Sequence, residues 1–257
     1  MTAPRPVFLC SPTHNGQMHQ LSAKAFFQDA SNEHAILPAY GSSSLLAFGF
    51  NTLYCQALNA RSKYPTMKWF AMLHADVAPE SFWLDKLIRI AEESNADALG
   101  CIIPFKDPSG LTSTAIAPEG QKYGAFRLTM TQALAPEIPA TIGTAEVREL
   151  MLRGMLPQIE NPVLLINTGC MIIRIDQHWS DEIYFNISDR ITKDPYNRTY
   201  QAETEPEDWF VSKLLHSKGA KVMATRSVKV SHLGGGNFPN DKVWGYASDP
   251  NINPVIT

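Results

Sequence analysis

Short apolar runs alternate with longer amphipathic stretches through the first hundred residues of the chain. Each run is four to six residues long and is bounded by polar, glycine or proline residues, as is typical of buried strands. The stretches between them carry apolar residues three or four positions apart, such as Leu46, Phe50 and Leu53, which predicts helices. The order βαβαβαβ predicts an α/β fold with a doubly wound, mostly parallel central sheet flanked by helices. The predicted strands are 7–10, 35–40, 68–73 and 98–103, and the helices are 17–29, from about 42–44 to 59–61, and 78–94.

The second half of the chain has a different pattern, rich in proline, glycine, serine and threonine from 107 to 143. Glycine in the segment Asn167-Thr168-Gly169, between two apolar runs, indicates a bulge or a close backbone approach. Residues 178–204 lack periodicity and predict a long loop. The other predicted elements are antiparallel strands at 112–117 and 123–130, strands at 163–166, 171–175 and 222–230, and helices at 146–155 and 205–217.

Candidate chemistry lies where the strand at 68–73 ends in His74 and Asp76. The carboxyl ends of parallel strands are where open α/β sheets bind ligands. A carboxylate there suits a hard divalent cation, which commonly holds a diphosphate. A polar strand end that caps the next helix accounts for these two residues equally well. The acidic pair Glu207-Asp208 and the late His232, at the end of a predicted strand, favour the functional interpretation.

Composition narrows the class of protein without naming it. The 257 residues are 44% hydrophobic and 18% charged, which is enough for a sizeable core in one large domain or two small ones. A formal net charge of −3 gives no general attraction to nucleic acid or anionic membranes. The cysteines, at 10, 55, 101 and 170, form no Cys-x-x-Cys pair, so we expect buried thiols. With no signal-peptide pattern and no apolar run long enough to span a bilayer, the sequence predicts a soluble, cytoplasmic protein without a transmembrane segment.

Six short motifs follow one another between residue 7 and about residue 238, nearly the whole chain. They are Ser11-Pro12-Thr13, Leu73-His74-Ala75-Asp76-Val77, Gly100-Cys101-Ile102-Ile103-Pro104, Asn167-Thr168-Gly169-Cys170-Met171, Glu207-Asp208-Trp209-Phe210 and Ser231-His232. In this order they resemble the inverting, family-2-type glycosyltransferases with a GT-A fold, particularly the short cytosolic ones of phages and bacteria. The resemblance implies a single GT-A-like domain over 1–257. Its parts would be a nucleotide-sugar-binding half at 1–106, an acceptor and catalytic half at 107–232 with a smaller antiparallel portion, and a flexible tail or lid at 233–257.

The resemblance also implies a metal and nucleotide site. In that family an Asp-x-Asp motif holds a divalent metal against a nucleotide diphosphate. Asp76 would therefore ligate Mn²⁺ or Mg²⁺ together with His232 and His74, although His74 stands where the family has its first acid. Asn51 matches a family asparagine, but no arginine precedes it at 48–50. The implied nucleotide contacts are Pro12, Thr13, His14, Asn51, His74 and Asp76.

The pair Glu207-Asp208 matches the family's Glu-Asp motif, in which the aspartate is the usual base. The resemblance therefore implies that Asp208 is the catalytic base and that Glu207 lies beside the acceptor. Because Asp208 stands at a predicted helix start, we expect the helix dipole to keep it ionised and only weakly basic. The implied donor-sugar and acceptor contacts are Lys106, Ser113, Thr168, Gly169 and Trp209.

The implied reaction is inverting transfer of a sugar to an acceptor hydroxyl. A uridine diphosphate (UDP) sugar is the family's default donor, and the acceptor would be a polysaccharide, a lipid-linked glycan or a modified DNA base. Residues 178–204 and 233–257 are candidate lids. Three alternatives remain open: a nucleotidyltransferase, although residues 11–16 carry no lysine or arginine; a metal-dependent hydrolase using His14, His74, Asp76 and His232; and a non-catalytic nucleotide-sugar-binding protein.

Overall fold

A seven-stranded sheet forms the centre of the protein, as seen in a computed structural model that describes residues 5–248. In spatial order its strands are β2 (Ala35–Ser42), β1 (Pro6–Thr13), β3 (Trp69–Leu73), β10 (Cys170–Arg174), β5 (Ala98–Cys101), β13 (Val222–Thr225) and β8 (Thr141–Gly143). Five of the seven strands run in one direction, while β10 and β8 run against their neighbours. The prediction of a mostly parallel central sheet is therefore confirmed.

Three small antiparallel sheets surround the central one. The first contains β7 (Phe126–Thr129), β6 (Leu111–Pro118) and β9 (Pro162–Leu165); the second contains β15 (Asn237–Pro239), β14 (Val230–Leu233) and β4 (Val77–Pro79); the third is a hairpin of β11 (Ser188–Lys193) and β12 (Tyr200–Glu205). The smaller antiparallel portion predicted around 112–130 is thus confirmed by β6 and β7.

Helices cover both faces of the central sheet. They are α1 (Gln20–Phe27), α2 (Leu46–Arg61), α3 (Trp83–Ser94), α4 (Met130–Leu134), α5 (Thr144–Leu152) and α6 (Glu207–Ser217), with 3-10 turns at Ser180–Glu182 and Tyr246–Ser248. Within β3, Phe70 and Met72 pack against the core under α2, α5 and α6. Trp69, Ala71 and Leu73 pack against the core under α1 and α3. Both sides of this strand are covered, which explains its continuous apolar run, and each large buried side chain contributes about 1.5–3 kcal/mol.

The antiparallel strand β10 lies between β3 and β5, an insertion that the apolar pattern did not predict. The chain approaches it through residues 167–169, where the space is very tight. A Cβ on Gly169 would lie 2.6 Å from Asn167 Oδ1, and one on Gly100 would lie 3.0 Å from Asn167 O. Side-chain atoms crowd Gly169, and the close backbone approach is the one between Asn167 O and Gly100, so the 167–169 segment lies beside the ends of β3 and β5.

Two predicted elements begin or end elsewhere. Residues 78–80 do not start a helix: they belong largely to β4, which pairs with β14, and α3 begins only at Trp83. Phe82, which precedes α3, has a left-handed φ of 59° and is 46% exposed, because the chain turns there between strand and helix. The single strand predicted at 222–230 is also wrong, since residues 226–229 bend the chain from β13 into β14, which lies in another sheet.

The long loop predicted at 178–204 is wrong. These residues form a 3-10 turn followed by most of the β11–β12 hairpin. Both strands of the hairpin are largely exposed, so no alternation of apolar and polar residues marked them. At the tip, Asp194 Oδ1 accepts the backbone N–H of Tyr196 at 2.7 Å and of Asn197 at 3.1 Å, which closes the turn.

The remaining expectations are mixed. Cys55 is exposed rather than buried, because it faces outward on α2, whereas Cys10, Cys101 and Cys170 are buried as predicted. Within the tail predicted at 233–257, residues 237–239 form β15, and residues 249–257 lie outside the described part. The role of the tail as a lid stays a prediction, as does the division of the domain into halves at 1–106 and 107–232. The longest described helix has 16 residues, and none in residues 5–248 combines the length and apolar character needed to cross a bilayer.

Candidate active site

A cleft of about 500 Å³ opens at the carboxyl ends of β1 and β3. This is within the usual size of a small-molecule site. Its position follows from the parallel pairing of β1 with β3, which brings the ends of both strands to one edge. Five of the six residues predicted to bind nucleotide line it, namely Pro12, Thr13, His14, His74 and Asp76.

Asp76 lies between two basic side chains from distant parts of the chain. Its Oδ2 is 2.5 Å from Lys106 Nζ and 3.6 Å from Nε2 of His232, which is carried by β14. Burial alone would raise the pKa of Asp76, but the hydrogen bonds and charges of His232 and Lys106 outweigh it and hold that pKa well below the usual range. Asp76 is therefore a carboxylate at every physiological pH.

The orientation of His232 decides what this pair can hold. Its Nδ1 lies 2.8 Å from Pro104 O, and a carbonyl oxygen only accepts, so Nδ1 carries the proton. In the neutral ring, Nε2 then presents a lone pair toward the Asp76 carboxylate, an arrangement that a cation between them stabilises. In the imidazolium form, Nε2 instead donates to Asp76, which is the hydrogen bond that lowers the Asp76 pKa. The carboxylate suits Mn²⁺ or Mg²⁺, and the imidazole favours Mn²⁺ over the harder Mg²⁺. Two ligands are present here; residues 5–248 contain no cluster of three potential metal-ligating side chains.

His74 is turned toward a different partner. Its Nε2 lies 3.3 Å from Thr168 Oγ1, and its ring stands 5.2 Å from the ring of Phe50. Burial lowers the pKa of His74 to about 4, with the Asp76 charge opposing and the His232 and Lys106 charges adding to the shift. His74 is thus neutral near pH 7. Its implied role as a metal ligand stays a prediction, and its contact is with the 167–169 segment.

The 167–169 segment connects the cleft to the acidic pair on α6. Gly169 O accepts the backbone N–H of His74 at 2.8 Å, on the cleft side. On the other side, Asn167 Nδ2 donates to Asp208 Oδ2 at 3.4 Å, while Asn167 Oδ1 accepts Gly169 N–H at 2.6 Å. One short turn therefore touches the strand end that carries Asp76 and the helix that carries Asp208. Thr168 is fully buried within it.

Glu207 and Asp208 form the first turn of α6, after Pro206, and both are buried. Burial and the neighbouring Glu207 charge raise the pKa of Asp208 far above its ordinary value, although the Arg127 charge and the Trp209 N–H oppose the shift. Burial likewise raises the pKa of Glu207. The expectation that the helix dipole keeps Asp208 weakly basic is wrong, because desolvation and like-charge repulsion outweigh the dipole.

Trp209 and Ser113 are adjacent, as a shared sugar-binding wall would require. The indole Nε1 donates to Ser113 O at 3.2 Å, and the Ser113 hydroxyl donates to Ile103 O at 3.1 Å. The hydroxyl of Ser113 is buried and satisfied internally, so its role at this site is to hold the indole rather than to face a ligand through Oγ. Direct sugar contacts of these two residues stay predictions.

Asn51 does not line the cleft. Its Nδ2 donates to Phe185 O at 2.8 Å and its Oδ1 accepts Phe185 N–H at 2.7 Å, so both ends of the amide are bound to one backbone unit. Thr13, which does line the cleft, uses its hydroxyl to donate to Gly41 O and to accept Gly16 N–H, both at 3.1 Å. These side chains shape the walls, and nucleotide contacts by them stay predictions.

Arg127 is the residue at this site that sequence reasoning missed. It lies on β7 with its guanidinium carbon 4.2 Å from the Trp209 ring centre and 4.5 Å from that of Phe105. Its charge also acts on Asp208. The available signal was a single arginine between Phe126 and Leu128 in a predicted strand.

Comparison with known proteins adds little to this geometry. No family model matches the chain, and no curated protein matches it in sequence. Among solved structures, the crystal structure of A197 from STIV matches 90% of this chain and 86% of that chain, with 12% sequence identity and a TM-score of 0.48. The roles of individual residues therefore rest on the side chains of this protein alone.

Proposed function

We propose that this protein transfers a sugar from a nucleoside diphosphate sugar to an acceptor hydroxyl, with inversion at the anomeric carbon and with a divalent cation. The observation that carries the proposal is the 167–169 segment, which contacts both His74 in the cleft and Asp208 on α6. These contacts support one site in which a cation-binding carboxylate and a candidate base act on the same substrate, as a displacement with the acceptor on one side and the diphosphate on the other requires.

The leaving group would lie at Asp76. A divalent cation, when bound by Asp76 and His232, would supply Lewis-acid stabilisation to the departing diphosphate. Lys106, 2.5 Å from Asp76, adds a second positive charge at the same place. The electron pair of the broken bond to the anomeric carbon stays on the diphosphate oxygen, so positive groups there lower the barrier.

The acceptor would be activated by Asp208. As the acceptor oxygen bonds to the anomeric carbon, its proton passes to the Asp208 carboxylate. A raised pKa makes this carboxylate a stronger base when it is ionised, which suits general-base catalysis near neutral pH. Attack from the side opposite the diphosphate gives inversion. Trp209, buried beside Asp208, limits the access of water to the reacting hydroxyl.

The test is incubation with Mn²⁺ and a panel of nucleotide sugars, with and without simple sugar acceptors. Slow release of nucleoside diphosphate is expected, and in Asp208→Asn it should fall by about 10²–10⁴-fold while donor binding persists. The matched control is Asp241→Asn, an exposed carboxylate that pairs with Lys229 at 3.4 Å and should leave turnover unchanged. Release of pyrophosphate would instead indicate a nucleotidyltransferase, and failure to bind any nucleotide sugar would reject the proposal.

One observation favours a metal-independent version of the same transfer. Lys106 Nζ already lies against the Asp76 oxygen that a cation would use. An ammonium group at that position can itself stabilise a diphosphate. Turnover that survives a chelator but is lost in Lys106→Met would support this version, whereas turnover that is abolished by the chelator and restored by Mn²⁺ would support the metal-dependent one.

A further inference from the structure

Arg127 is held between aromatic rings in a way that leaves only part of its guanidinium group available. The Trp209 and Phe105 rings lie against the group at 4.2 and 4.5 Å. Stacking of this kind is worth about 0.5–2 kcal/mol and occupies the faces of the group, whereas its N–H bonds point outward from the edge. The side chain is half-buried, and the two rings restrict where its guanidinium group can lie.

No oxygen in residues 5–248 accepts a hydrogen bond from the Arg127 guanidinium or forms an ion pair with it. Two equally half-buried arginines differ. Arg174 binds Asp176 through two bonds of 2.9 and 2.8 Å, and Arg226 donates to Ile138 O at 3.0 Å. Burial lowers the pKa of Arg127 to about 10, with the Asp208 charge opposing, so the group stays cationic at neutral pH. A half-buried cation has lost part of its hydration, and without an internal acceptor its remaining donors are open to water or to a ligand.

The support beneath Arg127 is rigid. The Trp209 indole is 6% exposed and its N–H is bound to Ser113 O at 3.2 Å, which fixes the ring on which the guanidinium lies. Trp209 also follows Asp208 directly on α6. An oxyanion bound at the edge of Arg127 would consequently stand beside the carboxylate that we propose as the base.

We propose that Arg127 binds an oxyanion, a phosphate or a carboxylate, carried by the acceptor close to the hydroxyl that receives the sugar. The planar edge of a guanidinium matches such groups through two parallel hydrogen bonds, which a neutral sugar cannot offer. That the oxyanion belongs to the sugar acceptor rests on the proposed function, and the inference narrows this acceptor to an anionic molecule. The oxyanion site itself can be tested without any transfer.

The binding test uses the full-length ¹⁵N-labelled protein and the side-chain Nε–Hε signal of Arg127, assigned from its loss in Arg127→Gln. Inorganic phosphate and methyl glucuronide are titrated separately to represent the two sources of the oxyanion, with methyl glucoside as the neutral control. A saturable shift of this signal by phosphate or by the glucuronide, and none by the glucoside, is expected. Absence of a saturable shift with both anions would overturn the proposal.

Two variants distinguish a specific loss of oxyanion binding from a general loss of structure. Arg127→Lys keeps the charge but not the two-pronged edge. Its oxyanion affinity, followed through the indole Nε1–Hε1 signal of the adjacent Trp209, should be about 10-fold or more lower, as for loss of one charge-assisted hydrogen bond. Arg89→Gln removes an exposed arginine that pairs with Glu33 at 3.2 Å and should bind as the natural protein does. Equal affinity in Arg127→Lys and the natural protein would contradict a two-bond clamp.

Transfer assays then separate this inference from the proposed function. With a working donor, Arg127→Gln should raise KM for an anionic acceptor at least 10-fold and leave KM for a neutral analogue unchanged. If Arg127→Gln left KM for the anionic acceptor unchanged as well, the inference would be removed and the proposed function would stay intact. Residue-specific phosphate binding without turnover of any nucleotide sugar would do the reverse.

Discussion

Replacing Asp208 by Asn should make the fold more stable at neutral and alkaline pH while it removes activity. The raised pKa of Asp208 means that the folded protein disfavours its charged form. As pH rises above about 3.9, the unfolded chain loses this proton first and the folded state keeps it, so the unfolded state binds fewer protons. The stability of the natural protein therefore falls with rising pH until the raised pKa is passed, and it is level beyond.

The size of the stability change follows from the difference in the pKa of Asp208 between the folded and unfolded states. Each unit of pKa shift corresponds to about 1.4 kcal/mol, so a shift of even one or two units makes ionised Asp208 cost about 1.4–3 kcal/mol. Asparagine avoids this cost and still accepts the Trp209 N–H, which is 2.8 Å from Oδ1. Its amide nitrogen would face Asn167 Nδ2, now 3.4 Å from Oδ2, at a cost of about 1 kcal/mol. We expect a net gain of about 0.4–2 kcal/mol at pH 8 and a net loss of about 1 kcal/mol at pH 4, where only the cost of the amide contact remains.

The assay is urea denaturation of both proteins at unit steps from pH 4 to pH 8. Taking the difference between the two proteins cancels the titration of every other group that the substitution leaves undisturbed. Asp85→Asn is the matched control with the opposite sign. Asp85 is 4% exposed, accepts the Asn32 N–H at 2.9 Å and binds His34 Nδ1 at 2.9 Å. Because these contacts outweigh the effect of burial, the pKa of Asp85 is lowered. Asp85 contributes stability above about pH 3.9 that is lost as pH falls through its lowered pKa, so this variant should be less stable at pH 4–8.

A stability difference between Asp208→Asn and the natural protein that does not change between pH 4 and pH 8 would refute the reasoning. So would a loss of stability at pH 8 as large as the one in Asp85→Asn. Either result would mean that Asp208 is not desolvated against Glu207 in the folded state, and it would remove the physical basis for a strengthened base at this position.

Two further predictions concern the walls of the cleft and its cation. Asn51→Ala leaves the N–H and C=O of Phe185 without their partners and should cost about 2–4 kcal/mol of stability in urea denaturation. The control Thr52→Ala, at the neighbouring exposed position, loses only a bond to its own helix and should change stability by at most about 0.5 kcal/mol. Equal effects of the two substitutions would contradict a stabilising role of the Asn51–Phe185 hydrogen bonds. Lys106→Met frees the Asp76 oxygen, so titration should show tighter Mn²⁺ binding by several-fold alongside slower turnover; unchanged or weaker binding would show that the ammonium and the metal do not compete.

Periodicity predicted the elements of the first half well because buried strands and amphipathic helices leave a direct record in the sequence. The inward positions Phe50, Leu53 and Ala57 of α2 are all at most 1% exposed. The record does not say which strand pairs with which. An apolar run such as 171–175 fits an edge or a central position equally, and its antiparallel place between β3 and β5 depends on long-range pairing. Exposed strands such as those of the β11–β12 hairpin carry no apolar alternation at all.

Residues at strand ends and helix starts could be predicted as a site for a related reason. His74 and Asp76 follow an apolar run, so topology brings them to the edge of the central sheet. His232 comes within 3.6 Å of Asp76 by a different route, the antiparallel pairing of β14 with β4 in another sheet, which the sequence did not indicate. Arg127 could not be found in the same way. Its proposed role depends on contacts with Trp209 and Phe105, which are 82 and 22 positions away in the chain and approach it only after folding.

The two carboxylates of the site are shifted in opposite directions, and this contrast ties the argument together. Asp76 is surrounded by Lys106 and His232 and stays ionised, as a carboxylate that holds a cation must. Asp208 is buried against another acid, with one arginine opposing, and holds its proton more tightly, as a proton acceptor near neutral pH must. These opposite shifts support the proposed division between charge stabilisation at Asp76 and proton transfer at Asp208. A protein that merely bound a nucleotide sugar would need the first environment, but it would gain nothing from keeping the second, which destabilises the fold.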